Sequence, residues 1–278
     1  MATTDIFHIS GGLAGRKAVK FLTGNTDDFI EINVFAASRV TANDAVGTFT
    51  AWVMIADDTI TGTVIGNGDD SIVEFLEILI ESGLLTVRIT DATTVQVVTQ
   101  ADGDALKRHR WYHIAIVQSN NGEGPKLYIN GVKIASTNDT TTDVDSWFAE
   151  LDGIDKGLIG ASNKTGNSAI TNEFTGSISD VKYWNTDLTD DEVEEDFRNL
   201  AVQTSNLKNH WDMDDDFIDN VSAENGTNTG GGAILVNNWS EFSSRLAFDT
   251  GTPVTADTLN FAIDSLNNVG HAVVIQAA

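Results

Sequence analysis

The sequence predicts an all-β protein, built as an antiparallel two-sheet sandwich with one short helix. Short runs rich in β-branched and aromatic residues recur between clusters of Gly, Asn and Asp. The 278 residues include 24 glycines and only two prolines, a composition that suits strands joined by tight turns. Only one segment shows the period of an amphipathic helix, so strands must supply most of the core.

The predicted strands are distributed over most of the chain. Each is a short run of alternating or continuous apolar residues that ends at a turn-forming residue. In chain order they cover residues 18–22, 28–34, 48–55, 73–80, 84–90, 95–100, 110–118, 157–161 and 176–185.

A hairpin is the clearest local signal. Asn130-Gly131 separates two short alternating runs, and both residues tolerate the positive φ of a type I′ turn. We expect Ile129 to face Val132 and Tyr128 to face Lys133. The aliphatic residues would then fill the core, while Tyr128 and Lys133 would lie on a solvent-exposed face.

The one predicted helix lies near residues 189–201. Thr189 can cap its first turn, and Glu192 can complete a capping box. Val193, Phe197 and Leu200 follow at helical spacing and form one apolar stripe.

The charge balance excludes whole classes of function. With 16 basic and 41 acidic residues the net charge is −25, so the surface repels nucleic acids and anionic membranes. The chain has no cysteine, which excludes disulfides and thiolate chemistry. Its first residues do not resemble a signal peptide, and no apolar run is long enough for a membrane span, so we expect synthesis in a cytoplasm without membrane insertion.

Four segments, in order, resemble laminin G-like and pentraxin-like domains. They are AVKFLTGNTDDFIEI, FTAWVMI, RWYHIAIVQSNNGEGPKLYINGVKIAS and FTGSISDVKYWNTDLTDDEV. The resemblance covers residues 18–197 and implies the jelly-roll sandwich of the concanavalin A-like lectin/glucanase superfamily. It divides the chain into an N-terminal arm (1–16), a laminin G-like jelly roll (17–205) and a C-terminal extension (206–278). That extension would complete the sandwich or mediate assembly with a neighbouring subunit.

Glycosidases of this superfamily carry paired carboxylates on one strand, and the nearest match here contains Glu74, Glu77 and Glu81. Glu74 and Glu77 are three residues apart, so a strand would place them on opposite faces. No Asp lies between them, and the pattern disfavours an enzyme.

Calcium is the one cofactor that the sequence suggests. Asp212, Asp214 and Asp216 have the spacing that opens an EF-hand loop, but Phe217 stands where that loop needs Gly. A looser oxygen-lined site with Asp219 is the remaining hypothesis. The pentraxin calcium site, as the resemblance implies it, lacks its carboxylates after residues 157–161.

A glycan ligand would be bound by loops at one edge of the sandwich. The candidate residues are two acidic pairs in predicted loops and one tryptophan in an irregular segment: Asp57, Asp58, Asp69, Asp70 and Trp147. A solvated turn is the simpler interpretation of each acidic pair, and packing or a subunit interface is the simpler interpretation of the tryptophan.

Three hypotheses about function stay open. The first is a non-enzymatic, lectin-like module on a virion surface, most simply of a bacteriophage, that attaches to glycans or a host surface. The second is a structural capsid or tail subunit, a homo-oligomer whose partners are other virion proteins. The third is a glycoside hydrolase or lyase. The fold alone does not choose among them.

Overall fold

The computed structural model describes residues 17–22, 28–103, 105–164, 169–198, 205–214, 216–229 and 233–237. Lys17–Val236 form one compact unit, in which two antiparallel sheets pack as a sandwich. This confirms the predicted all-β jelly-roll class. None of the helices in the described residues is long and apolar enough to cross a membrane.

The first sheet has the strand order β10-β9-β8-β3-β13-β1-β16, and β14 pairs with the second half of β13. Its strands are β1 (Lys17–Phe21), β3 (Gly47–Ile55), β8 (Trp111–Gln118), β9 (Lys126–Ile129), β10 (Val132–Lys133), β13 (Gly176–Trp184), β14 (Leu207–Trp211) and β16 (Ile234–Asn237).

The second sheet has the order β11-β7-β6-β5-β4-β12-β2-β15. Its strands are β2 (Phe29–Glu31), β4 (Thr61–Gly68), β5 (Phe75–Glu81), β6 (Leu84–Asp91), β7 (Thr94–Ala101), β11 (Ser136–Thr141), β12 (Lys156–Ile159) and β15 (Thr227–Thr229).

The hydrophobic core lies between the two sheets and is rich in aromatic residues. The Phe35 ring makes edge contacts with Phe49, Phe148, Tyr183 and Trp211, with centroids 5.3–5.9 Å apart. Phe35 lies on a helix, Phe49, Tyr183 and Trp211 lie on three strands of the first sheet, and Phe148 lies on a 3₁₀ helix (Phe148–Glu150). One cluster of rings therefore joins distant parts of the chain.

The Asn130-Gly131 hairpin has the predicted register but not the predicted faces. Ile129 pairs with Val132 and Tyr128 with Lys133. However, Val132 is 65% exposed and Tyr128 only 1% exposed. Tyr128 is buried because a helix covers the outer face of this part of the first sheet and accepts a hydrogen bond from the tyrosine hydroxyl.

That helix, α2 (Asp190–Phe197), confirms the prediction near 189–201. Thr189 Oγ1 accepts from Glu192 N, and Glu192 Oε2 accepts from Thr189 N at 2.8 Å, which completes the capping box. Tyr128 Oη donates to Asp190 Oδ1 at 2.7 Å. The tyrosine therefore lies in a second apolar cluster, under α2.

A second helix, α1 (Asn33–Ala42), was not predicted. The sequence indicated a strand over 28–34, but the strand β2 ends at Glu31 and the chain turns into α1. Phe35, Ala36 and Arg39 face inward at helical spacing. The helix packs against β12 and ends at Asn43, which adopts φ 57°.

Ion pairs bind α2 to the first sheet. Lys182 of β13 donates to Asp196 of α2 at 2.7 Å and to Asp180 at 2.9 Å. His113 Nε2 lies 3.0 Å from Asp196, and His210 Nε2 lies 2.6 Å from Asp180. Burial opposes the charged forms, but the ion pairs outweigh it, so the pKa of Lys182 is raised and that of Asp196 is lowered to about 2.

The segment beyond residue 205 contributes strands to both sheets. β14 pairs with β13 and β16 joins β1 in the first sheet, while β15 pairs with β2 in the second. Trp211 of β14 is fully buried in the core. The proposed N-terminal arm (1–16) and the rest of the extension after Asn237 lie outside the described residues.

Candidate functional site

The outer face of the second sheet is polar near its centre. On β6, Val87 and Ile89 fill the core, so strand alternation turns Thr86 and Arg88 outward. The register of β7 places Gln100 directly beside Thr86. Three polar side chains on two rigid strands therefore share one surface.

Glu81, at the end of β5, joins these side chains into one hydrogen-bonded group, which we call the polar cluster (Glu81, Thr86, Arg88 and Gln100). Arg88 Nη2 donates to Glu81 Oε2 at 2.6 Å. Gln100 Nε2 donates to the same oxygen at 3.2 Å and to Thr86 Oγ1 at 3.0 Å. The side chains of Arg88 and Glu81 are 26% and 33% exposed and can be reached from solvent, whereas Thr86 is fully buried.

Asp57 and Asp58 lie in the loop at the same end of the second sheet as Glu81, because Thr61 pairs with Glu81. Asp57 Oδ1 accepts from Thr59 Oγ1 at 2.7 Å and from Thr59 N at 2.8 Å, and these bonds lower the pKa of the exposed carboxyl. A shallow cleft beside the loop is lined by Ile55, Asp57, Ile60, Gly62, Ile80, Phe174 and Thr175.

Asp69 and Asp70 follow the opposite end of β4. That strand has eight residues, so it separates the two acidic pairs by roughly 25 Å. Asp70 Oδ2 contacts Lys156 Nζ at 3.0 Å, and its Oδ1 accepts from Asn163 Nδ2 at 2.5 Å. The expectation that both pairs line one edge of the sandwich is therefore wrong.

Trp147 also corrects the sequence-based expectation. Its side chain is fully buried beside Phe49 and Phe148, with ring centroids 5.8–5.9 Å away. The indole Nε1 donates to Tyr183 Oη at 3.4 Å. The ring cannot stack on a glycan from this position, because the irregular segment before it folds into the core rather than over the surface.

The four aspartates predicted to bind calcium do not converge. Asp219 is buried and accepts from His210 N at 2.8 Å and from Asn209 Nδ2 at 2.8 Å. Asp212, Asp214 and Asp216 each accept from separate neighbours. In the described residues no three His, Asp or Glu side chains gather around a point that could hold a metal ion. These aspartates shape turns, which corrects the predicted set.

The three candidate hydrolase carboxylates lie in different environments. Glu74 points inward at the end of the sandwich, where Gly153 N donates to its Oε2 at 2.7 Å. Glu77 points to the other face and is fully buried, and its Oε1 accepts from Thr63 Oγ1 at 2.5 Å. The opposite orientations confirm the strand-based prediction, and the two groups cannot flank one glycosidic bond.

A comparison with protein-family models shows the family of this chain. The family model of the concanavalin A-like lectin/glucanases superfamily matches residues 24–194, more than half of the chain. This chain belongs to that superfamily. The resemblance of the sequence to laminin G-like domains is thereby confirmed. A comparison with curated protein sequences finds no match.

Solved structures of similar fold support the architecture. A putative carbohydrate binding protein from Bacteroides ovatus has 17% identity and a TM-score of 0.52, and the match covers 80% of this chain and 60% of that one. The Ruminococcus gnavus IT-sialidase CBM40 bound to α2,6-sialyllactose has 13% identity, a TM-score of 0.51, and coverages of 64% and 95%. A K499G mutant of NanB sialidase from Streptococcus pneumoniae has 18% identity, a TM-score of 0.53, and coverages of 64% and 27%.

Thr86, Arg88 and Gln100 were not among the residues singled out from the sequence. A signal for Thr86 and Arg88 is present, because 85–90 alternates strictly between apolar and polar residues and places a lone arginine on the face opposite three core residues. Glu81 and Gln100 come near that arginine because β5, β6 and β7 pair side by side. This pairing cannot be read from the sequence and is known only from the structure of the sheet.

Proposed function

We propose that this protein is a non-enzymatic, lectin-like module that binds glycans through the polar cluster. The observation that carries the proposal is a hydrogen-bonded set of donors and acceptors on rigid strands, in which Arg88 and Glu81 are partly exposed. Sugar hydroxyls both donate and accept, and planar groups such as guanidinium, carboxylate and amide bind adjacent hydroxyls in pairs. Fixed side chains lose little conformational entropy on binding.

Two further facts support a glycan as the ligand. The superfamily is named for lectins and glucanases, and solved structures of the same fold include a sialidase CBM40 with a bound sialyllactose. The polar cluster also supplies both hydrogen-bond donors and acceptors, whereas the net charge of −25 disfavours polyanionic macromolecules as partners.

A glycan array followed by calorimetric titration tests this function. We expect Arg88→Ala and Gln100→Ala to weaken binding at least about tenfold, since each removes a hydrogen bond to the ligand. Arg198→Ala is the matched control, because Arg198 is an exposed arginine directly after α2 that pairs only with Glu194 in the described structure. Absence of binding at every density, or equal binding by all variants, would refute the proposal.

The non-enzymatic part of the proposal is tested on the same glycans. Glu74 and Glu77 face opposite ways, and Glu81 is held by Arg88, an arrangement that does not suit paired acid and base groups. We expect no turnover of any bound polysaccharide. Turnover that Glu81→Gln abolishes would support the hydrolase or lyase alternative instead.

Display on a virion surface is the finer part of the proposal and rests on the sequence alone. The very acidic, cysteine-free composition suits a particle component made in a host cytoplasm, with glycans or other virion proteins as partners. Immunogold labelling of purified phage particles whose genome encodes the chain would test it, and unlabelled particles would contradict it. Size-exclusion chromatography with light scattering tests the expected homo-oligomer.

A further inference from the structure

A short loop between β7 and β8 is basic, although the chain as a whole is very acidic. Three of the 16 lysine and arginine residues lie within four positions of it, at Lys107, Arg108 and Arg110. All three residues are exposed, and none of them makes an ion pair in the described part of the chain. We call residues 105–110 the basic loop.

The backbone of the basic loop is fixed to the sandwich. Leu106 is fully buried, and its N–H donates to Gly83 O at 2.7 Å. His109 N donates to Ile55 O at 2.8 Å, and His109 has a φ of 61°, which is uncommon for a residue other than glycine. The cationic side chains therefore project from a backbone that is already ordered, and a partner would not have to order it.

The neighbouring β3–β4 loop does not neutralise these cations by contact. Asp57 Oδ1 accepts from Thr59 Oγ1 at 2.7 Å. The bonds from Thr59 are the main cause of the lowered pKa of Asp57, and Arg108 adds to it. Asp57 lies beyond ion-pair distance of Arg108 in the described structure, so the arginine stays available to an acidic partner.

The opposite end of the first sheet carries carboxylates. Leu188 N donates to Thr48 Oγ1 at 3.0 Å, so the start of α2 lies beside the first residues of β3. The loops that follow β8 and β11 meet at the same end, where Gln118 Nε2 donates to Val144 O at 3.0 Å. We call this region the acidic end, and its exposed or partly exposed carboxylates belong to Glu123, Asp143, Asp145, Asp187, Asp190 and Asp191.

Few cations balance the acidic end. Lys126 Nζ lies 3.5 Å from Glu123, and the other five carboxylates make no ion pair in the residues that the structure describes. The negative field also acts on a neighbour, since burial together with Asp143 and Asp145 raises the pKa of Glu150. The acidic end is therefore complementary in charge to the basic loop.

The two surfaces cannot meet within one molecule. The basic loop is bonded to Ile55 at the end of β3, whereas the acidic end is bonded to Thr48 near its start. The strand β3 thus separates them by roughly 24 Å. Two copies can bring the surfaces together while the rest of their acidic surfaces stay apart. A long polyanion would instead be repelled along a surface with a net charge of −25.

We propose that the basic loop of one copy of this chain docks on the acidic end of a second copy. The contact is head-to-tail, because each copy presents both surfaces and neither is complementary to itself. Its repetition closes a ring or extends a filament. This contact would build the homo-oligomer proposed above, on which the inference rests, and it does not use the residues of the polar cluster.

Sedimentation velocity of the full chain tests the contact. We expect association in about 50 mM NaCl and its loss in about 500 mM NaCl, because salt shortens the Debye length. Lys107→Glu with Arg108→Glu, or Asp187→Lys with Asp191→Lys, should weaken association at least about tenfold, since each pair of changes sets like charges against each other. Arg198→Glu is the control, because it reverses an exposed arginine outside both surfaces and should leave association unchanged.

Mixing the two doubly reversed variants is the decisive measurement. Each variant restores the charge complementarity that the other lacks, so the mixture should associate again in about 50 mM NaCl. Both variants remain strongly acidic, so their net charges alone would keep them apart. If Asp187→Lys with Asp191→Lys fails to fold, Glu123→Lys with Asp143→Lys replaces it at the same end.

The outcomes separate this contact from the rest of the proposed function. A wild-type chain that stays monomeric at every concentration in low salt would overturn both the contact and the homo-oligomer, and would leave glycan binding untouched. An oligomer whose mass is the same in high salt and in both reversed variants would overturn the contact alone. If reversal of the basic loop abolishes binding on the glycan array while association persists, the loop binds an acidic glycan and the contact is refuted.

Discussion

Thr93 has a positive φ, a backbone conformation that its β-branched side chain makes unfavourable. It forms the turn of the β6–β7 hairpin with Ala92, and the two residues have φ values of 75° and 42°. A β-branched residue rarely adopts positive φ, whereas Asn130-Gly131 adopts it at low cost in the β9–β10 hairpin. The Ala-Thr turn therefore costs free energy that an Asn-Gly turn would not.

Thr93→Gly should stabilise the protein by about 1 kcal/mol, because glycine adopts this φ without strain and the side chain of Thr93 is exposed. Urea unfolding measures the change. The matched control is Thr94→Gly, one residue later within β7, where glycine should cost about 0.5–1 kcal/mol. Equal destabilisation by both substitutions would contradict the argument.

At the scale of elements, buried charges join helix α2 to the first sheet beside an apolar cluster. The ammonium group of Lys182, on β13, lies between the carboxylates of Asp180 and Asp196. All three side chains are at least nine-tenths buried. Trp52, His113 and Phe197 pack beside them, with ring centroids 5.4–5.8 Å apart. A buried ion pair of this kind becomes costly when one partner is removed.

Lys182→Met should therefore destabilise the protein by about 3–5 kcal/mol, since it leaves two buried carboxylates without their ammonium. Arg198→Ala removes an exposed charge at the C-terminal cap of the same helix and should change stability by less than about 0.5 kcal/mol. Urea unfolding followed by tryptophan fluorescence compares the two. A small effect of Lys182→Met would mean that water reaches the ion pair.

For the whole molecule, acid stability depends on carboxylates that ionise more readily when folded. The pKa of Asp196 is lowered to about 2, and that of Asp219 is lowered by hydrogen bonds from Ser222 and backbone N–H groups despite its burial. Groups with a lowered folded pKa stabilise the protein fully above about pH 4. Their contribution falls as the pH drops through the folded pKa.

The free energy of unfolding should thus decrease between pH 4 and pH 2, with about 2 kcal/mol of the decrease due to Asp196. Urea unfolding at several pH values measures it. Asp196→Asn should show a smaller decrease over the same range, whatever its stability at pH 7. An equally steep decrease in this variant would assign the acid sensitivity to other carboxylates.

Much of the fold was predictable because local patterns determined it. The capping box at Thr189 and Glu192 gave α2, and Asn130-Gly131 gave the hairpin and its register. α1 was missed because its inward residues lie in a short polar helix that directly continues a strand. Trp147 was misplaced because an irregular segment gives no local sign of burial. Glu81 is the one residue of the polar cluster that the sequence patterns single out, and they indicate it as a candidate catalytic carboxylate.

The sequence by itself determined the sandwich class, the superfamily, the acidic surface and the main turns, because these depend on composition and on short-range patterns. Only the tertiary structure decided which polar residues meet. Arg88 and Glu81 are seven residues apart on neighbouring strands, and Gln100 comes from a third strand, so the cross-strand register assembles the polar cluster. Register depends on how the two sheets bury their inner faces, which is a property of the whole core.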